Sequence, residues 1–311
     1  MVLAAELVGR GCEVHVLLRS DAVPVARSVV AATGATVVPG DWAEAPDLVR
    51  RLGAAAVVDS YLVEGPQLTA LHHACRRTGR PLLVVDDLAD RAFTADLVLN
   101  QNLLPEQPSY PGAAAVLAGP RYALLRPAFS RNRAAGISSA ELLPDAPRQV
   151  FVLFGGTDTA GMAGIAAQAA LHAFPGARVR VVASGETALD PRLAQDPRAT
   201  VLPRLAEVHD EMLAADLVVS AGGTTLWELC CLARASAVVA VADNQVPTYD
   251  AMVAAGHVLA AGRAPEPSVD ALAERLVRLT AAPGTLRRTA LSAATVTDGL
   301  GARRVADALA A

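Results

Sequence analysis

Short runs of Val, Leu and Ala alternate with stretches of helical period along nearly the whole chain of 311 residues. In the first half, residues 13–18, 36–38, 54–59 and 81–85 read as strands, with 96–99 and 115–117 as shorter candidates. Helices read over 2–8, 25–33, 48–52 and 67–78. The second half repeats the style without repeating the sequence. Strands read over 150–154, 177–183, 200–202, 217–219, 237–242 and 257–260, and helices fill most of the intervals. Fully apolar strands alternating with helices build a parallel sheet covered on both faces. The length exceeds one ordinary core, so two such domains are expected. Residues 130–148 are polar, contain Gly and Pro and show no clear period. They divide the chain into an N-terminal α/β domain at 1–134, a connector at 135–148 and a C-terminal α/β domain at 149–311. A wound α/β domain ordinarily opens with a strand, a turn and then a helix. This chain opens inside the helix at 2–8, so either its first strand lies upstream of Met1 or this half is built without it.

Two glycine turns stand at strand ends, the edge where α/β folds bind ligands. The first is Phe154-Gly155-Gly156-Thr157-Asp158, and the second is Ser220-Ala221-Gly222-Gly223-Thr224-Thr225. Glycines permit close backbone approach, and free N–H groups at a helix start favour an anion. Glu228 follows one helical turn later, where it can accept hydrogen bonds from sugar hydroxyls. A tight strand–helix turn without a ligand fits the same residues. Asn244 and Gln245 follow another strand and read equally as sugar contacts or as part of a helix cap. In the first half, Asp86, Asp87 and Asp90 read as caps and as ion-pair partners of Arg91, ahead of a metal pair for which no histidine or further carboxylate has matching spacing. Tyr61 ends a strand, where it contacts a substrate or covers the sheet edge.

Composition closes several routes. All 27 basic residues are arginine, so no chemistry in this chain rests on a lysine Schiff base or a Walker-A lysine. Neither glycine turn has dinucleotide-fingerprint spacing, so no nicotinamide or flavin cofactor is expected. Cys12, Cys75, Cys230 and Cys231 form no C-x-x-C pair, and no histidine pair has metal-ligand spacing, so no metal is expected. A net charge of -4 gives no reason to expect a nucleic-acid partner, and no apolar run reaches membrane-spanning length without a charge. With no signal peptide visible, the chain reads as cytoplasmic.

A set of motifs then acquires meaning together. Val84 through Arg91, Asp96 through Asn102, Gly119 through Pro127, the turn at Phe154, residues 220–229 and Ala242-Asp243-Asn244-Gln245 occur in one order over most of the chain. That combination resembles the UDP-sugar hydrolase family of pseudaminic acid biosynthesis, which includes spore-coat polysaccharide proteins. The resemblance implies two Rossmann-like domains in a glycosyltransferase-B fold, with a UDP-binding C-terminal domain and a sugar-side N-terminal domain. It also implies that Gly222, Gly223, Thr224 and Thr225 hold the diphosphate and Glu228 the ribose. Gly155 and Gly156 would line the site, Asn244 and Gln245 would lie beside sugar and phosphates, and Tyr61 and Asn244 would be its catalytic contacts. The implied reaction is metal-free hydrolysis of a UDP-linked 2,4-diacetamido-trideoxy sugar to free sugar and UDP. The sequence departs from the family at Phe93, at Ala128 and at its start. The opening strand and the G-x-G-H loop, whose histidine is taken as the base, are absent from it. Two rival readings accompany the hydrolase: a glycosyltransferase using a UDP-sugar donor, and a nucleotide-sugar-binding protein without turnover.

Overall fold

A computed structural model describes residues 1–104, 106, 108–155, 158, 160–183, 189–265 and 268–311, without the side chain of Val25. The described chain forms two compact units. One holds residues 1–102, 106–125 and 300–311, and the other is built on 126–299.

The first unit runs α1 (Val2–Gly9), β1 (His15–Leu18), α2 (Val23–Ala31), β2 (Thr36–Pro39), α3 (Ala45–Leu52), β3 (Ala56–Asp59), α4 (Gly65–Arg77), β4 (Leu82–Val85), β5 (Ala95–Asn100) and β6 (Ala113–Ala118). Local chemistry sets several boundaries. Asp41 and Glu44 form a reciprocal capping box ahead of α3, and Gly53 ends that helix in the left-handed region at φ 59°. Glu64 and Gln67 form the same box at the start of α4. The strands lie in two parallel sheets, β1-β2 and β3-β4-β5-β6. Val58, Leu68, Leu71, Leu82, Val84 and Val98 fill one face of the larger sheet. Leu3, Leu83, Leu99 and Leu117 fill the other, together with Val305 and Ala306 from the far end of the chain.

The second unit opens with α5 (Pro127–Ala140), where the sequence suggests mostly connector. This helix lacks an apolar stripe because two arginines, more than apolar side chains, tie it down. Arg133 donates to the carbonyls of Cys231, Ala294 and Thr297 at 3.1, 2.7 and 2.9 Å. The buried guanidinium of Arg234 donates to Gly136 O at 2.6 Å and Ser139 Oγ at 2.7 Å. Gly136 is needed there, since a methyl group would overlap the Leu232 carbonyl.

There follow β7 (Gln149–Leu153), α6 (Met162–Ala173), β8 (Arg178–Val182), α7 (Pro191–Gln195), β9 (Ala199–Leu202), α8 (His209–Ala214), β10 (Leu217–Ala221), α9 (Thr225–Cys231), β11 (Ser236–Ala240), α10 (Val246–Ala254), β12 (Leu259–Arg263), α11 (Val269–Thr280) and α12 (Thr285–Ala294). The last helix, α13 (Gly301–Ala310), belongs to the first unit. The sheet order is β12-β11-β10-β7-β8-β9, with every pair parallel. Val150, Val152, Val179, Val181, Leu217, Val219 and Val239 form the buried sheet face. On it lies α6, whose Ala163, Ala166, Ala167 and Ala170 are fully buried and let helix and sheet approach closely. No helix among the described residues is long and apolar enough to cross a membrane.

Candidate functional site

Strand order in the second sheet reverses between β7 and β10. At such a switch point the loops after the two neighbouring strands leave in opposite directions and open a crevice at their carboxyl ends. The two glycine turns are the loops that leave these two strands. Leu153 is in register with Ser220, and Ser220 Oγ donates to Leu153 O at 2.7 Å. That buried bond pins the two strand ends together, so the turns are neighbours by construction.

In the first turn Gly155 has φ 73°, with no atom within 4 Å of a Cβ placed there. Gly156 lies outside the described residues. Asp158 accepts from the amides of Met162 and Ala163 at 2.9 and 3.0 Å, so the chain itself caps α6. The second turn is built differently. Neither Gly222 nor Gly223 has a positive φ, so it is space around them that matters. A Cβ on Gly222 would lie 3.3 Å from Gln245 Oε1, whereas one on Gly223 would meet nothing nearer than Gln245 Nε2 at 3.7 Å. Thr224 precedes α9 without giving it a side-chain cap. Among the described residues the amides of Gly223, Thr224 and Thr225 have no acceptor. They are therefore available to an anion.

Glu228 sits three residues beyond Thr225 on α9. Burial is the main influence on its carboxyl and pushes its pKa up to about 7, against the opposing pull of Arg126. Arg126 Nη2 lies 3.8 Å from Glu228 Oε1. The same guanidinium donates to Ala206 O at 2.6 Å and lies over the Phe129 ring. Sequence reasoning passed over Arg126; its position directly before Pro127, at the start of α5, was the available signal.

The loop after β11 supplies the third side. Its short helical turn, Asp243–Gln245, carries Asn244 into solvent. Gln245 behaves otherwise: its Oε1 accepts from Val241 N at 3.0 Å and its side chain packs against Gly222. Its carbonyl end is thus committed to the loop, leaving the amide end for a ligand. Gly155, Gly222, Gly223, Thr224, Thr225, Glu228, Asn244 and Gln245 all lie in the second unit, on loops from three consecutive strands of its sheet, β11, β10 and β7.

Tyr61 belongs to the first unit. Its ring is mostly exposed, and its hydroxyl donates to Asp87 Oδ2 at 3.0 Å. Desolvation of the hydroxyl end, then the hydrogen bond to Asp87, pushes its pKa up to about 12. Tyr61 is therefore a neutral hydrogen-bond donor near pH 7 and not a base. Asp86 is buried as a structural group, accepting from Ala89 N at 2.7 Å and Tyr110 Oη at 3.1 Å and pairing with Arg91 at 3.2 Å.

No family model and no curated protein sequence matches the chain. Solved structures do. MurG of Acinetobacter baumannii superposes with a TM-score of 0.70 at 15% identity, covering 99% of this chain and 94% of that one. Arabidopsis thaliana UGT89C1 complexed with UDP-L-rhamnose gives 0.61 at 12% identity over 100% and 95%. A putative UDP-N-acetylglucosamine 2-epimerase from Listeria monocytogenes gives 0.57 at 11% identity over 98% and 90%. The chain has the glycosyltransferase-B fold. At these identities the likeness carries the glycosyltransferase-B architecture alone, two Rossmann-like domains with parallel sheets, and no reaction.

Proposed function

We propose that the chain binds a UDP-sugar through its second unit and transfers the sugar to an acceptor. The observation that carries this reading is the pairing, at one switch point, of unpaired amides with a half-buried carboxylate one helical turn further on. The amides of Gly223, Thr224 and Thr225 would take the diphosphate, and Glu228 the ribose diol. Gly155, Gly156 and the amide of Gln245 would complete the surround, with Asn244 beside the sugar. Amide donors fixed before the reaction stabilise charge as it gathers on the departing diphosphate, at no cost in reorganisation. Acceptor handling is assigned to the first unit, with Tyr61 as a neutral donor. MurG and UGT89C1 share the fold, and the latter is complexed with UDP-L-rhamnose, which favours transfer over the hydrolysis suggested by the motif resemblance.

Hydrolysis of a UDP-linked diacetamido-trideoxy sugar stands as the second reading, on one observation. The motifs at 84–91, 96–102 and 119–127 resemble the hydrolase family and lie outside the UDP-binding residues. A panel of UDP-sugars, incubated with and without sugar and lipid-linked acceptors while UDP release is followed, separates the two. Release that requires an acceptor supports transfer. Release that does not, with free sugar as product, overturns it in favour of hydrolysis. UDP binding without any release leaves a binding protein and overturns both.

A further inference from the structure

The loops that leave β3 and β4 form a surface in the first unit that the donor residues do not use. The two strands end in register, Asp59 against Val85, so their loops start side by side. Two hydrogen bonds tie the loops together. Tyr61 Oη donates to Asp87 Oδ2 at 3.0 Å, and Arg91 Nη2 donates to Ser60 O at 3.2 Å. Large apolar side chains stand out from this pair of loops. Tyr61, Leu62 and Leu88 are 61, 71 and 41% exposed, whereas the next residue, Val63, is buried. Apolar side chains grouped at the ligand-binding edge of a parallel sheet mark a surface that meets a partner.

Charge says what kind of partner. Loops 59–64 and 86–91 carry Asp59, Glu64, Asp86, Asp87, Asp90 and Arg91, five acids and one base. The base is turned inward. Arg91 Nη2 faces the buried Asp86 Oδ1 at 3.2 Å, and that oxygen accepts no hydrogen bond among the described residues, so Arg91 is held as its counter-charge. Glu64 is engaged in the capping box of α4. Asp59 is exposed and meets no donor or cation among the described residues. Asp87 is half-buried and receives its hydrogen bond on Oδ2, from Tyr61. The charges of Asp59, Asp86 and Asp87 all bear on the Tyr61 hydroxyl, so carboxylates gather around the one exposed ring.

On the reading that the first unit holds the acceptor, we infer that this surface binds it and that the acceptor is an amino sugar with a free, protonated nitrogen. An ammonium group has three donors and no acceptor, and ionised carboxylates are acceptors only, so Asp59 and Asp87 match it. The ammonium gains further from the face of the Tyr61 ring. Leu62 and Leu88 receive the apolar C–H face of the sugar. An N-acetyl group would remove the charge and two of the three donors. A phosphorylated or carboxylated acceptor, or an anionic bilayer, would bring like charge to Asp59, Asp87 and Asp90. A second copy docked about a twofold axis would set the same acidic loops against each other.

Calorimetric and saturation-transfer NMR titrations of the 311-residue chain test this. The probes are methyl 2-amino-2-deoxyglucoside, its N-acetyl form and its 6-phosphate, at about pH 6, where the amine is protonated. The amine binds at least about tenfold more tightly than either of the others, and the margin narrows as salt is raised. Asp59→Asn and Asp87→Asn each reduce that margin, and the double variant abolishes it. A margin that persists in the double variant overturns the inference. So does equal binding of the amine and its N-acetyl form, preference for the phosphate, or no binding of the amine. UDP titrated into the same protein keeps the donor and acceptor readings apart. UDP binding without amine binding ends this inference and leaves the donor site standing. Amine binding without UDP binding leaves this surface standing and ends the transfer reading.

Discussion

The substitution Glu228→Gln separates ligand recognition from fold maintenance, because it moves the two in opposite directions. Burial holds the Glu228 pKa near 7, against an ordinary value of 4.5. The folded protein therefore binds the proton more tightly than the unfolded chain. Stability contributed by this group is full below pH 4.5 and falls as pH rises towards 7, where burying a charge begins to cost. The gap of two to three pKa units puts that cost at no more than about 3 to 4 kcal/mol above pH 7. Gln has the same shape and no charge, so E228Q should be more stable than the parent at pH 8 and equal to it at pH 4. Binding runs the other way. A ribose diol donates to the carboxylate, and hydrogen bonds to a charged group contribute about 1.5–3 kcal/mol, or roughly 10- to 150-fold in Kd. Only the ionised form offers that acceptor, so UDP affinity of the parent should fall about tenfold from pH 8 to pH 6 through Glu228 alone. UDP titrates too, and E228Q serves as the control that retains only the ligand's own slope. Calorimetric Kd values at pH 6, 7 and 8, with melting curves of the free proteins, decide the matter. Equal Kd values for parent and E228Q, or equal pH slopes, would refute the assignment of Glu228 to the ribose.

Three further outcomes follow from the same geometry. Arg126→Ala removes the cation that holds the Glu228 pKa down, so the midpoint of pH-dependent UDP binding should move up by about one unit; an unchanged midpoint in the calorimetric titration would mean that Arg126 does not act on Glu228. Gly223→Ala places a methyl group where the nearest protein atom is 3.7 Å away, so chemical denaturation should show a change within about 0.5 kcal/mol, while UDP affinity falls at least tenfold because the methyl occupies the anion's place. Arg234→Met leaves the carbonyls of Gly136 and Leu232 without the donors that reach them at 2.6 and 3.0 Å, and urea unfolding should show a loss of about 3 kcal/mol or more.

What the sequence revealed of this fold was what short-range chemistry controls. The apolar strands and their helices could be read because their periods are local, and the glycine turns because each follows directly on a strand. The helix α5 could not, since Gly136, Ser139 and Arg133 look like a linker until Arg234 and the carbonyls near Cys231 and Thr297 are brought beside them. The return of α13 to the first unit was equally hidden: Val305 and Ala306 complete a core whose other members lie near Leu3, Leu83 and Leu117. At the candidate site, residue types and order were visible but the switch point was not. It depends on β10 pairing with β7 across 60-odd intervening residues, which no local pattern encodes. Gln245 also needed coordinates, because only they show its carbonyl end spent on Val241.

The distribution of these features over the two units gives binding and turnover separate points of failure. Every residue proposed to hold UDP lies in the second unit, whose sheet is continuous and whose strand order is that of a complete doubly wound domain. The first unit carries Tyr61 and two parallel sheets, β1-β2 and β3-β4-β5-β6. A protein that binds UDP with the pH dependence of Glu228 but releases none from any UDP-sugar would therefore support the donor site and place the loss of turnover in the first unit, with its Tyr61.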